Sequence, residues 1–164
     1  MDPAAYLTQA RVVRHLADAA RRGIGPDLLF VEESLFDVLS RTLSRSTRRL
    51  PAGPKTSGVV EQVKELLATR YHENLSLAGI GREVHRSPFN LARLFRLGTG
   101  RSIHEYRTQL RLRSGLSRLE EGRSDLAALA LDLGFSSHSH FTSAFRGTFG
   151  VPPSAVRGAQ RFAG

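Results

Sequence analysis

The sequence contains no cysteine, a single methionine and two lysines, Lys55 and Lys64, among its 164 residues. The lack of cysteine excludes disulfides, thiolate zinc sites and cysteine nucleophiles together, and it fits a reducing compartment. No apolar run approaches the roughly 18 residues of a membrane-spanning helix. No basic-then-apolar leader pattern opens the chain, so the expectation is a cytoplasmic protein with no membrane partner. Strand-like alternation of polar and apolar residues is missing as well, and the apolar periodicity that exists is helical.

What the sequence has in abundance is arginine. Lys plus Arg number 24 against 15 Asp plus Glu, a net charge of +9, and the isoelectric point is about 11.2. A balance this basic points to a polyanionic partner, nucleic acid or an acidic membrane surface. A GC-rich coding source accounts for part of the preference for arginine over lysine, but not for the excess over acids. Residues 1–57 carry a net +3 and residues 58–164 a net +6.

The most informative stretch is Ser124–Val156. Leu126, Leu129, Ala130 and Leu133 recur at i, i+3, i+4 and i+7, one face of a helix. Ser124 is placed to cap its start, and Gly134 to stop it in the left-handed conformation that glycine tolerates. Phe135 fills the corner and Ser136–Ser137 offers a second N-cap. Phe141, Ala144, Phe145 and Phe149 then form a second apolar face, with His138, Ser139, Thr142, Ser143 and Arg146 opposite. Gly150 ends that helix, and Pro152–Pro153 start one more short turn. A short helix, a tight turn and a second helix with one buried and one polar face are what a helix-turn-helix requires. Periodicity alone is equally compatible with a surface helical hairpin.

The run Leu131–Arg157, LDLGFSSHSHFTSAFRGTFGVPPSAVR, resembles the C-terminal signature of the AraC/XylS family of bacterial transcription regulators. The similarity extends from about Val59 to Arg157. It implies an all-α fold with tandem helix-turn-helix units joined by a long linker helix. It also implies sequence-specific binding of double-stranded DNA, with two recognition helices in adjacent major grooves, to regulate transcription at the nucleoid. By this resemblance the DNA-facing positions are Phe89, Asn90, Arg93 and Arg96 in the first unit and His138, Ser139, Thr142, Ser143 and Arg146 in the second. RNA polymerase is a further candidate partner. The alternative is a protein-interaction module that docks RNA polymerase or another regulator without reading DNA. The missing cysteine also excludes the thiol-based alkyl-acceptor chemistry of one DNA-repair relative.

Upstream, a helical hairpin is expected over residues 1–46. Its first helix, about Ala4–Arg22, carries Leu7, Ala10, Val13, Leu16, Ala17 and Ala20 on one face, and Gly23 and Gly25 break it. The second, about Pro26–Ser44, has Leu28, Val31, Leu35, Val38 and Thr42 in a stripe widened by Phe36, Leu39 and Leu43. Fifty residues are too few for a core of their own, so these faces need the DNA-binding part or a second copy of themselves. In longer AraC-like regulators a comparable pair follows a sensor barrel and mediates dimerisation, which makes residues 26–44 a candidate homodimer element. No barrel sequence precedes the pair here, and the chain is either naturally short or a piece of a longer regulator. Thr47–Ser57, with two prolines and a glycine, reads as the linker, leaving 58–164 as the DNA-binding domain.

Within that domain the spacing predicts a helix over Gly58–Arg70, a first helix-turn-helix at about 76–98 capped by Ser76 and Ser87, and a second at about 125–149. A linker helix over about 102–120 lies between them. At 1.5 Å per residue that helix spans about 28 Å, comparable with the roughly 34 Å of one DNA turn. The first unit departs from the family pattern at two places. Gly81 stands where alanine is usual, a cost of about 1 kcal/mol in a helix interior. His85 stands where glycine is usual in the turn, and tolerates positive φ less well. The first unit is therefore expected to be the less stable and the weaker reader. Gly115, another departure from alanine, is expected to soften the linker helix. Arg101, Arg107, Arg111, Arg113 and Arg118 read as a solvated face, with one or two reaching phosphates.

No catalytic constellation is present. His138 and His140 are two apart on a helix and point away from each other, so they share no metal easily. No Gly-x-Ser-x-Gly elbow occurs. Gly79-Ile80-Gly81 lacks the strand-to-helix context of a dinucleotide site, and Glu120–Glu121 reads as surface charge. The expectation is a non-enzyme with no cofactor and no metal.

Overall fold

The computed structural model describes residues 3–43, 55–122 and 125–160. The described residues form α-helices and no strand: α1 (Pro3–Arg22), α2 (Leu28–Leu43), α3 (Lys55–Arg70), α4 (Leu77–Glu83), α5 (Pro88–Thr99), α6 (Ile103–Glu120), α7 (Leu126–Asp132), α8 (His138–Phe149) and α9 (Pro153–Gln160). The chain divides into two compact units, Met1–Leu66 with Asn74–Tyr106, and Leu67–Glu73 with Arg107–Gly164.

The first unit is built on a helix-turn-helix. The Ser76 hydroxyl accepts the Gly79 N–H at 3.0 Å and starts α4. Ser87 does the same for the Asn90 N–H of α5 at 3.4 Å, with Pro88 in the first turn, where its missing N–H costs nothing. Gly100, in the left-handed region at φ 72, closes α5. Val59, Val60 and Val63 of α3, Leu77 and Ile80 of α4, Leu91 and Phe95 of α5 and Ile103 of α6 are buried. The spacing that predicted these faces holds through this core.

The N-terminal hairpin is part of the same unit, but it turns a different face inward from the one the apolar stripes suggested. Leu7, Val13 and Leu16 of α1 and Leu28, Leu35 and Leu39 of α2 are exposed. The buried residues are Ala19, Leu29 and, among the charged ones, Glu33. The reason is polar. His15 Nε2 accepts the Asp27 N–H at 2.8 Å and its ring meets Phe30 edge-on, which fixes α1 against the start of α2. Glu33 then receives the Ile103 N–H at 2.8 Å and the His104 N–H at 2.7 Å, two of the donors that the first turn of α6 leaves without an intrahelical partner. Glu32 accepts the Leu77 N–H at the start of α4. A helix whose acids satisfy the N-termini of two others presents its acidic face to them and leaves Leu28, Leu35 and Leu39 outside. Burial pushes the Glu33 carboxyl above the usual carboxylate range, against the opposing pull of those two backbone N–H groups, the Ser102 side chain and the Arg96 charge.

Helix α3 begins at Lys55, inside the stretch read as linker. Both prolines of that stretch precede Lys55, and flanking charge alone does not forbid a helix. The other linker residues, 47–54, lie outside the described residues, as does Ser124.

The second unit has an aromatic spine. Phe135, Phe141, Phe145 and Phe149 follow one another with ring centroids 5.3, 5.5 and 4.5 Å apart. Leu112 and Leu119 of α6 and Leu129, Ala130 and Leu133 close the core around them. A Cβ on Gly115 would stand 3.0 Å from Leu133 Cδ1 and 3.2 Å from Phe141 Cε2. This glycine seats α6 close against the spine, a packing role beside the softening expected of it.

Candidate nucleic-acid interface

The two helix-turn-helix units make their turns with one backbone geometry and different residues. In the second, Gly134 takes φ 83, and the Phe135 N–H reaches back to the Ala130 carbonyl at 2.9 Å. In the first, His85 takes φ 53 and is the one non-glycine residue with positive φ among those described, while the Arg86 N–H reaches the Gly81 carbonyl at 2.8 Å. The strain expected at His85 is present. Gly81 is more than the helix defect its type suggested, because a Cβ there would stand 2.5 Å from the Arg86 carbonyl oxygen. The second turn is one residue longer before its cap, Ser137, whose hydroxyl accepts the His140 N–H at 3.1 Å. Asp125 caps α7, its carboxylate accepting the Ala127 and Ala128 N–H groups at 2.9 and 3.1 Å. A carboxylate at a helix N-terminus gains from the dipole as well as from the bonds.

These turns set α5 and α8 with one face in the core and one outside. On α8, Phe141 and Phe145 are fully buried while His138, Ser139, Ser143 and Arg146 are exposed and Thr142 is half-buried. His138 Nε2 and the Thr142 hydroxyl lie 3.3 Å apart. Among the described residues, no hydrogen bond or ion pair engages the side chains of Ser139, Ser143 or Arg146. His140 turns inward, against the Phe135 ring and within 3.1 Å of the Ser136 hydroxyl. An open cleft of about 470 Å³, lined by Asp125, Leu126, Ala127, His138 and Arg157, adjoins the start of α8. On α5, Phe89, Asn90 and Arg96 are exposed and Arg93 is half-buried. Arg93 makes no ion pair with Glu83 or any other described residue. Phe89 and Arg96 are engaged from within the unit: the Phe36 ring meets Phe89 with centroids 5.8 Å apart, and Asp37 pairs with Arg96 at 3.2 Å.

The arginines of α6 are sorted differently from the expected solvated face. Arg107 and Arg111 are buried. Arg107 Nη1 donates to the Glu73 carbonyl at 3.1 Å; Arg111 Nε donates to the Tyr71 carbonyl at 2.6 Å and its Nη2 to that of Glu73 at 3.0 Å. Arg111 also lies over the Phe135 ring, 5.8 Å from its centroid. A Cβ on Gly134 would fall on the His72 carbonyl and 2.7 Å from Arg111 Nη2, so this segment needs glycine for room as well as for φ. Guanidinium groups engaged by main-chain carbonyls in the core hold the turn after α3 instead of forming part of a solvated face. Sequence reasoning missed this role because an arginine among apolar positions reads the same whether it is solvated or buried. Arg101 and Arg113 are exposed, and Arg118 lies 3.8 Å from Asp132. Arg70 donates to Glu73 and holds that carboxyl below the usual carboxylate range. Among the described residues no group of three or more His, Asp or Glu could hold a metal ion, and no helix is long and apolar enough to cross a membrane.

Comparison with known proteins places this geometry. A family of helix-turn-helix domains matches residues 80–159. The Msm operon regulatory protein of Streptococcus mutans is 32% identical over 102 residues, 62% of this chain and 37% of that protein. The transcriptional activator RhaS of Pectobacterium atrosepticum is 26% identical over 133 residues, 80% of this chain and 47% of that one. The chain thus spans less than half the length of these relatives. Among solved structures, a Chromobacterium violaceum transcriptional regulator with an AraC-type DNA-binding domain superposes with a TM-score of 0.60 at 29% identity, over 66% of this chain and 96% of that one.

Proposed function

The chain belongs to the AraC/XylS family of transcription regulators and carries its tandem helix-turn-helix domain, and on that premise we propose that it binds double-stranded DNA sequence-specifically through α5 and α8 and regulates transcription. One observation carries the reading. Ser139, Ser143 and Arg146 on the outer row of α8 are exposed and engaged by no hydrogen bond or ion pair among the described residues, on a helix whose other side is locked by Phe141 and Phe145. A rigid helix with a free hydrogen-bonding face is what a major groove admits. In this reading Phe89, Asn90, Arg93 and Arg96 meet one groove and His138, Ser139, Thr142, Ser143 and Arg146 the next, the excess of arginine supplying the phosphate contacts. The exposed Leu28, Leu35 and Leu39 support a homodimer through residues 26–44, which sedimentation of the full chain tests. RNA polymerase is the further partner that such a regulator would address.

Binding of the full chain to a labelled duplex, followed against salt, tests the reading. Contact with six to ten phosphates lowers affinity by about 10³- to 10⁵-fold between 50 and 200 mM salt. Salt-insensitive binding to a protein, with none to DNA, would favour a docking module instead.

A further inference from the structure

The geometry points to α2 as an intramolecular cover on the first recognition helix, one that DNA must displace. The inference rests on the reading of Phe89 and Arg96 as groove-facing. Those two residues lie two and nine positions after the cap Ser87. The residues two and nine positions after the cap Ser137 of α8, Ser139 and Arg146, are exposed and engaged by no described residue. In the first unit both positions are taken, Phe89 by the Phe36 ring and Arg96 by the Asp37 carboxylate. Sequence neighbours on one helix therefore hold an aromatic and a cationic contact of the same recognition helix.

The charge fits a substitute for the nucleic acid. The acids of α2 are Glu32, Glu33 and Asp37, and Asp37 offers Arg96 the carboxylate oxygen where DNA would offer a phosphate. The major groove is about 12 Å wide, the diameter of one helix with its side chains. A helix in contact with α5 through Phe36 and Asp37 cannot enter the groove beside it. The remainder of α2 has its own anchor, since Glu33 is bound to the Ile103 and His104 N–H groups and Glu32 to that of Leu77. The cover can lift at its Phe36–Asp37 end while the Glu33 end stays attached.

An exposed ion pair and one ring contact are together worth about five- to thirty-fold in an equilibrium. The double variant Phe36→Ala/Asp37→Ala, in the full chain with Glu32 and Glu33 intact, is therefore expected to bind a duplex recovered by selection with the full chain about five- to thirty-fold more tightly than wild type. The gain should be confined to the half-site read by the first unit. Hydrogen exchange supplies the second readout. Saturating the wild-type chain with that duplex should speed exchange of the α2 amides from Phe36 onward and leave those around Glu33 protected. Unchanged or weaker binding by the double variant, or unchanged or slower exchange at that end of α2, would overturn the cover. Failure of both proteins to bind any duplex at low salt would overturn the DNA-binding reading itself, and the cover with it.

Discussion

The carbonyl oxygen of Arg86 lies 2.5 Å from the point a Cβ on Gly81 would occupy. Close approach at the end of α4 and left-handed backbone at His85 belong to one turn, in which the Arg86 N–H bonds back to the Gly81 carbonyl. The two substitutions that would restore the family's usual residues should therefore act in opposite directions. His85→Gly removes a left-handed cost of about 1–2 kcal/mol and adds unfolded-chain entropy of about 0.4–1 kcal/mol, a net gain of up to about 1.6 kcal/mol. Gly81→Ala overpacks against backbone and should lose about 1–3 kcal/mol. Urea midpoints of the two single variants measure both; a stabilising Gly81→Ala would contradict this account of the turn.

Arg111 is the arginine whose loss should be felt in folding. Its guanidinium serves the Tyr71 and Glu73 carbonyls from inside the core. Arg111→Ala leaves both with one partner fewer and should cost about 2–4 kcal/mol. Arg113→Ala, on an exposed position of the same helix, should stay within about 0.5 kcal/mol. Equal effects of the two on the urea midpoint would contradict the assignment of Arg111 to the core.

Glu33 links the hairpin to pH. Its carboxyl is pushed up on folding, chiefly by burial. Between the ordinary carboxylate value and the raised one, the folded chain holds a proton that the unfolded chain has released. Stability therefore falls as pH rises through that interval and is fully present below it. Glu73 acts the other way: its carboxyl is held down by Arg70, so its contribution is present above the ordinary value and is lost as pH falls through the folded one. The difference between wild type and Glu33→Gln cancels Glu73 and the other carboxylates, and should decline from acid toward neutral pH. A difference that is flat or rises with pH across the interval would show that burial does not dominate at Glu33.

Arg93 and Arg146 occupy different depths of their helices. Arg93 is six residues after Ser87, in the part that enters the groove on the proposed reading, and has no carboxylate partner among the described residues. Arg146 is nine after Ser137, near the helix end at Phe149. An arginine on guanine O6 and N7 carries about 1–3 kcal/mol of discrimination; one on a phosphate carries none. Arg93→Ala should weaken the preferred site selectively and relax one base pair. Arg146→Ala should weaken all sequences alike and reduce the salt slope by about one. Competition binding against single-base variants of the site separates the two.

The fold was legible wherever a side chain's type settles its place. The apolar faces of α4, α5, α7 and α8, the caps Ser76, Ser87 and Ser137 and the stops at Gly134 and Gly150 follow from spacing and backbone preference alone. Asp125 as the cap of α7 was not seen, because Ser124 beside it offers the same chemistry. Polar burial was the larger gap. Arg107, Arg111 and Glu33 sit in the core because main-chain groups distant in sequence receive them, and no local pattern records that. The same gap reversed the hairpin: its leucines mark an amphipathic helix, yet Glu33 decides which side faces in. The row of candidate contacts on α8 was readable from the apolar face opposite. The engagement of Phe89 and Arg96 by α2 was not, since nothing in the period of α5 marks a neighbour some fifty residues away.

In vitro selection of duplex DNA by the full chain tests the central claim most directly. Two recognition helices in adjacent grooves should enrich two blocks of preferred bases, centred about 10–10.5 base pairs apart. The block read by α5 should be the weaker, and should sharpen in Phe36→Ala/Asp37→Ala. A pool that shows no enriched sequence, while the protein still binds DNA, would contradict sequence-specific reading by α5 and α8.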